Sequence, residues 1–258
     1  MRTDWFLSLS ESLDPRVRLL AFPYAGGSAA VYRGWGQVLP NWIEARAVQL
    51  PGRGWRLREP PVAELGRLAE LLTTEILPLS DLPVVLFGHS MGAWLALEVA
   101  RRLDAAGTPP LCLFVSGRQA PSVGMLHPPM SHLDDQAFVR EIQLRYGGIP
   151  SEILEAPEVL ALLLPSLRAD VAALEGYGYR GGEPLECPLV ALGGEHDPVV
   201  PVEHLAPWAM ETRADFAVET FPGGHFYFQD HATALLSVLE TRIERTMAVV
   251  GAAGVGAQ

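Results

Sequence analysis

The chain has 258 residues, 49% hydrophobic and 19% charged, which is ample material for one large core. Its 19 Lys and Arg stand against 30 Asp and Glu, and the resulting formal charge of −11 opposes nonspecific binding to nucleic acid or to anionic membrane. Two cysteines, Cys112 and Cys187, make neither a disulfide framework nor a zinc or redox pair, and no apolar run reaches the ~18 residues of a membrane span.

The amino-terminal stretch "MRTDWFLSLSESLD" has no apolar run long enough for a signal peptide, so a cytoplasmic location is expected. From there, short apolar runs alternate with longer helical patterns. Strands are predicted over "VRLLAF" (17–22), "IEARAVQL" (43–50), "PVVLFG" (83–88), "LCLFVSG" (111–117), "PLVALGG" (188–194) and "FAVETF" (216–221). Most are apolar throughout rather than alternating, the mark of a parallel sheet covered on both faces. Helices are predicted over "AELGRLAELLTTEIL" (63–77), "MGAWLALEVARRLDAAG" (91–107), "EHLAPWAM" (203–210) and "HATALLSVLETRIERTM" (231–247), with a frayed tail "VVGAAGVGAQ". The expected fold class is α/β: a single doubly wound domain over 1–258 with helices on both faces of a mostly parallel sheet.

The alternation breaks between 125 and 182, where only two helical patterns occur, "DQAFVREIQLRY" and "PEVLALLLPSLRADVAALE". An all-helical insertion there sits at the carboxyl ends of the strands, where ligands bind in such sheets. It is a candidate lid; the alternative is a peripheral helical subdomain with no gating role.

Gly88-His89-Ser90-Met91-Gly92 fits G-x-S-x-G with an apolar strand before it and an amphipathic helix after it. A strand-to-helix turn that sharp strains its central residue, pushes the side chain outward and leaves room only for glycine two positions away. Ser90 therefore reads as a nucleophile at a helix amino end. A serine hydroxyl needs a base, and the base needs an orienting carboxylate, in the chain order Ser, acid, His. "LVALGGEHDPVV" offers Glu195 and Asp197, and Asp197 is preferred because Pro198 pins the turn and its short side chain is held more rigidly. His196 has no second histidine at metal-ligand spacing. "VETFPGGHFYF" offers His225, whose preceding glycines suit a close approach; His231 is its rival. For the oxyanion, the expected donors are the backbone N–H of Met91 and that of Ala25, in the glycine-rich loop "LLAFPYAGGSA". Tyr24 is a candidate pocket residue. "GYGYRG" (176–181) formally matches a dinucleotide fingerprint, but no strand precedes it and no helix follows.

Taken together, "FPYAGGSA", "VQLPGRGWRLREPP", "GHSMGAWLALEVA", "HLDDQAFV", "LLPSLRADVAALEGYGY", "CPLVALGGEHDPVVP" and "FPGGHFYF" resemble, in order and over nearly the whole chain, the stand-alone type II thioesterases. These accompany modular polyketide synthases and nonribosomal peptide synthetases, and have the α/β-hydrolase fold. The resemblance implies Ser90 as nucleophile, Asp197 as orienting acid and His225 as base. It implies hydrolysis of short or stalled acyl groups from the phosphopantetheine arm of acyl-carrier or peptidyl-carrier domains. No metal or redox cofactor is implied, since the pantetheine arm belongs to the partner.

Two departures matter: "PSVGMLHPPMSHLDD" is longer than usual for the family, and Trp94 either narrows the acyl pocket or packs in the core. Carrier proteins are typically acidic like this chain, so docking needs local basic patches. Arg53, Arg56 and Arg58 beside Trp55 are candidate contacts to the carrier or its phosphate, the alternative being a solvated loop with internal ion pairs. Two other activities fit the same triad: a carboxylesterase and a medium-chain fatty-acyl thioesterase. A catalytically idle binding scaffold is the reading from another class, and a monomer is the default expectation.

Overall fold

The computed structural model describes residues 5–255, and within them the apolar runs form one sheet. Its strands are β1 (Phe6–Ser8), β2 (Val17–Phe22), β3 (Ile43–Val48), β4 (Val84–His89), β5 (Cys112–Ser116), β6 (Leu189–Gly194) and β7 (Phe216–Phe221). Every residue of β2, β4, β5 and β6 is buried, which is why these strands read as largely apolar runs rather than alternating ones. β7 lies on an edge and alternates instead. Leu20, Phe22 and Leu86 point to one face, where α1 (Leu65–Ile76) and α2 (Met91–Ala105) pack. Leu19, Ala21, Val85 and Phe87 point to the other, under α7 (Ala232–Val255) and a 3-10 stretch, Ala29–Gln37.

The strand order is β1-β3-β2-β4-β5-β6-β7, parallel except for β1. The chain runs outward from β2 to β3 and then crosses back over β2 to β4. The crevice between the carboxyl ends of β2 and β4 is thus the topological switch point, where α/β sheets place their ligands. Between β5 and β6 lie α3 (Asp135–Tyr146), α4 (Ser151–Leu154) and α5 (Pro157–Glu175), with a small core of their own built on Phe138, Ile142, Leu164 and Val171.

Three expectations need correction. β1, a three-residue strand antiparallel to β3, was not foreseen because so short a run carries no period. "EHLAPWAM" forms two 3-10 turns, Val202–His204 and Ala206–Glu211, because Pro207 cannot donate to a longer ladder. The carboxyl-terminal helix, expected over 231–247 with a frayed tail after it, runs on to Val255; 256–258 lie outside the described residues. Among the described residues, no helix is long and apolar enough to cross a membrane.

Candidate active site

Ser90 occupies the turn from β4 into α2 with φ 54° and ψ −115°, and is the only non-glycine described residue with positive φ. Its N–H is held by the Ser116 carbonyl of β5 at 2.7 Å. The flanking glycines answer to backbone, not to side chains. A Cβ on Gly88 would lie 2.0 Å from the Gly92 carbonyl oxygen, and one on Gly92 would lie 2.2 Å from the Phe22 carbonyl oxygen of β2. Helix α2 can therefore start hard against the sheet only if both positions lack side chains.

The loops after β6 and β7 are brought together in the same manner, since a Cβ on Gly194 would meet the Gly224 carbonyl oxygen at 2.3 Å. That close approach sets Asp197 beside His225. Asp197 Oδ2 lies 2.8 Å from His225 Nδ1, and His225 Nε2 lies 3.1 Å from Ser90 Oγ. Asp197 Oδ1 accepts from the N–H groups of Val199 (2.8 Å) and Val200 (3.2 Å), so both carboxylate oxygens are fixed. An ionised carboxylate can only accept, so Nδ1 carries the proton and Nε2 presents its lone pair to the serine hydroxyl. All three side chains are buried.

A second histidine backs the first. The His89 ring lies 5.1 Å from that of His225, and its Nδ1 is 2.8 Å from Ser116 Oγ, which in turn is 2.6 Å from the Tyr227 hydroxyl. Burial, reinforced by the nearby His225, holds His89 well below the usual histidine range. It stays neutral, and so adds no charge that would oppose protonation of His225.

Ser90 and His225 open on a cavity of about 520 Å³, together with Tyr24, Ala25 and Gly26. Its far wall is aliphatic: Ile142 of α3 and Leu163, Leu164, Leu167 and Val171 of α5. Ala25 stands in a tight turn closed by the Gly27 N–H on the Tyr24 carbonyl at 2.9 Å. Neither the Ala25 nor the Met91 N–H meets an acceptor among the described residues, so both are free to donate to a bound oxygen. The arrangement can take a proton from Ser90, hold an imidazolium, and accommodate an apolar chain beside them.

The structure therefore brings together Ser90, Asp197, His225, Ala25 and Tyr24. Glu195 and His196 are exposed, and His231 closes α6 (Tyr227–Asp230), away from the relay. Trp94 does not line the cavity; it is buried against Tyr177 and beneath the Arg118 guanidinium. The arginine patch divides. Arg53 and Arg56 are buried and satisfied inside the protein, Arg53 by Asp170 and Arg56 by Glu59, the Gln49 carbonyl and the Trp5 ring. Neither offers a surface to a carrier; only Arg58 is exposed. Sequence reasoning missed Asp170, whose signal was a carboxylate on the apolar face of α5, and His89, hidden inside the serine motif.

Residues 17–243 match the family model described as a thioesterase domain. The gramicidin S biosynthesis protein GrsT of Aneurinibacillus migulanus is 34% identical over 245 residues, covering 95% of each chain. Thioesterase PikA5 of Streptomyces venezuelae is 38% identical, covering 88% of this chain and 80% of its own. Among solved structures, the type II thioesterase BorB from the borrelidin biosynthetic cluster superposes with a TM-score of 0.84 at 34% identity, over 95% of this chain and 98% of its own. YbtT, the type II thioesterase of the yersiniabactin NRPS/PKS pathway, reaches 0.84 at 30% identity, over 94% and 99%.

Proposed function

This chain belongs to the thioesterase domain family, and from that premise we propose that it hydrolyses short or aberrant acyl groups from the phosphopantetheine arms of acyl or peptidyl carrier proteins, editing a polyketide or nonribosomal peptide assembly line. Ser90 Oγ attacks the thioester carbonyl while His225 Nε2 takes its proton, and Asp197 stabilises the imidazolium through Nδ1. The tetrahedral oxyanion is held by the N–H groups of Ala25 and Met91. Collapse expels the pantetheine thiolate, which takes the His225 proton. An alkyl thiol ionises near the cysteine value of about 8.5, so this leaving group needs far less protonation than an alkoxide. Water, deprotonated by His225, then attacks the acyl-Ser90 ester, and the acid leaves with Ser90 restored.

The observation that carries this reading is the continuous Ser90–His225–Asp197 relay opening on an apolar cavity. Segment 125–182 acts as the lid, a role supported by the cavity wall that α3 and α5 supply. The test is the intact mass of an acetyl- or propionyl-loaded carrier protein over time. Wild type removes the acyl mass and leaves the free arm, whereas Ser90→Ala does not. An untouched carrier, with activity retained on simple esters, would discard the carrier substrate. The cavity volume favours one second reading, a medium-chain fatty-acyl thioesterase; a kcat/KM that climbs steeply from acetyl to decanoyl thioesters would select it.

A further inference from the structure

A fully buried carboxylate on a helix that packs mostly through apolar side chains needs a physical reason. Asp170 lies on α5, one turn beyond Leu167, so both side chains reach the same neighbour. That neighbour is the turn carrying Ala25. A Cβ on Gly26 would lie 2.9 Å from Leu167 Cδ1, and the Gly26 N–H donates to Asp170 Oδ2 at 2.7 Å. Arg53 reaches in from the loop after β3 and grips the same carboxylate with both terminal nitrogens, Nη2 to Oδ1 at 2.7 Å and Nη1 to Oδ2. Its Nη1 also donates to the Gly27 carbonyl at 3.3 Å.

The turn is thus fixed at consecutive peptide units: Asp170 holds the Gly26 N–H, Arg53 holds the Gly27 carbonyl, and the Gly27 N–H holds the Tyr24 carbonyl. The peptide unit is planar and trans, so its C=O and N–H point in opposite directions. Fixing the Tyr24 carbonyl therefore fixes where the Ala25 N–H points. Desolvation offsets most of the attraction in a buried ion pair, so stability alone is a weak account of this one. What distinguishes it is that both partners extend hydrogen bonds to the same turn.

We propose that Asp170, acting with Arg53, is a positioning residue for the Ala25 oxyanion donor, and that the seating of α5 over the cavity sets that donor's alignment. This rests on the reading of Ser90 and Ala25 given above. The helix that holds the turn also lines the cavity through Leu163, Leu164, Leu167 and Val171. An acyl group packed against α5 thereby bears on the element that aims the oxyanion hole.

The test is the double variant Arg53→Met with Asp170→Leu, which removes both charges together and leaves neither one buried alone. Asp170→Asn serves as the milder variant, and Ser166→Ala, buried on the same helix, as the control for general damage. Removing an oxyanion donor costs about 10²–10³ in kcat, and misaligning one is expected to cost about 10–100-fold. In the double variant kcat falls by that factor, and the Ki of an acyl trifluoromethyl ketone rises in proportion to the loss of kcat/KM. The Kd of a non-reactive thioether analogue stays within twofold of wild type. Asp170→Asn, which keeps an acceptor for Gly26, falls between.

Two results overturn the proposal: a kcat within threefold of the Ser166→Ala control, or equal weakening of the ketone and the thioether, which is the signature of a collapsed pocket. If the double variant does not fold, Asp170→Asn decides on the same criteria. Ser90→Ala is run alongside. Wild-type hydrolysis by that variant overturns the reading of the site and this proposal together; loss of hydrolysis with unaffected Asp170 variants overturns this proposal alone.

Discussion

Replacing Ser90 by glycine and by alanine separates the strain of its turn from the chemistry proposed for its hydroxyl. Both variants lose the hydroxyl and its bond to His225, so that term cancels between them; what differs is the Cβ. At φ 54° and ψ −115° a Cβ costs about 1–3 kcal/mol. Glycine's greater freedom in the unfolded chain opposes this by about 0.5–1 kcal/mol. Ser90→Gly is therefore expected to be more stable than Ser90→Ala by about 1 kcal/mol, reversing the usual order of the two residues. In a domain of this size that corresponds to about 2–4 °C in Tm, measurable by calorimetry and by urea titration at a shared m-value. Both variants lose hydrolysis. An alanine variant as stable as the glycine variant, or more so, would refute the strain argument, and with it the reason for a serine held in that conformation.

Asp197→Asn presents an amide to His225 Nδ1 and favours the wrong tautomer; kcat falls by roughly 10⁴, while binding of a non-hydrolysable thioether, followed by calorimetry, is unchanged. His89 is neutral in the folded chain because it is buried. Below about pH 6.5 the unfolded chain therefore binds one proton more, and stability falls as pH falls through that value, by up to about 1.4 kcal/mol per unit from this residue. Urea midpoints between pH 6.5 and 5 should show a shallower slope in His89→Asn; equal slopes would mean that His89 takes its proton in the folded protein. Arg58→Glu, at the exposed arginine of the loop after β3, is expected to raise KM severalfold for a loaded carrier protein and not for an acyl-pantetheine mimic, in steady-state assays of both.

What the sequence disclosed follows the range of the forces involved. β2 and β7 were read with their observed ends because burial and edge exposure leave a local pattern in six residues. Ser90, Asp197 and His225 were legible as candidates because each stands just past the end of a strand, within three residues of glycines that a tight backbone approach requires. Arg53 was misread for the opposite reason. Its partner, Asp170, is 117 residues away, and nothing in "PGRGWRLREPP" reveals a carboxylate arriving from another helix. Loop composition announced a basic surface; packing turned two of its three charges inward. β1 escaped because three residues establish no period, and "EHLAPWAM" was read as one helix because its apolar spacing does not show where Pro207 cuts the ladder short.

The charges around the cavity bear on what kind of thioesterase this chain can be. Glu175 is occupied by the N–H groups of Met130 and Ser131 and by the Ser131 hydroxyl. Arg145 is taken by Glu141 and the Pro128 carbonyl, and Arg53 by Asp170. With His127 Nε2 the exception, buried without a protein partner, the far wall meets an acyl chain chiefly with aliphatic carbon. A wall of that kind, with few polar groups to leave unpaired, scarcely rejects an acyl group that merely adds a hydroxyl. It suits the removal of many small or misloaded acyl groups better than the selection of one. Preference for stalled over productive intermediates then has to come from how long each acyl group stays on the carrier arm, a matter of timing that cavity shape does not supply.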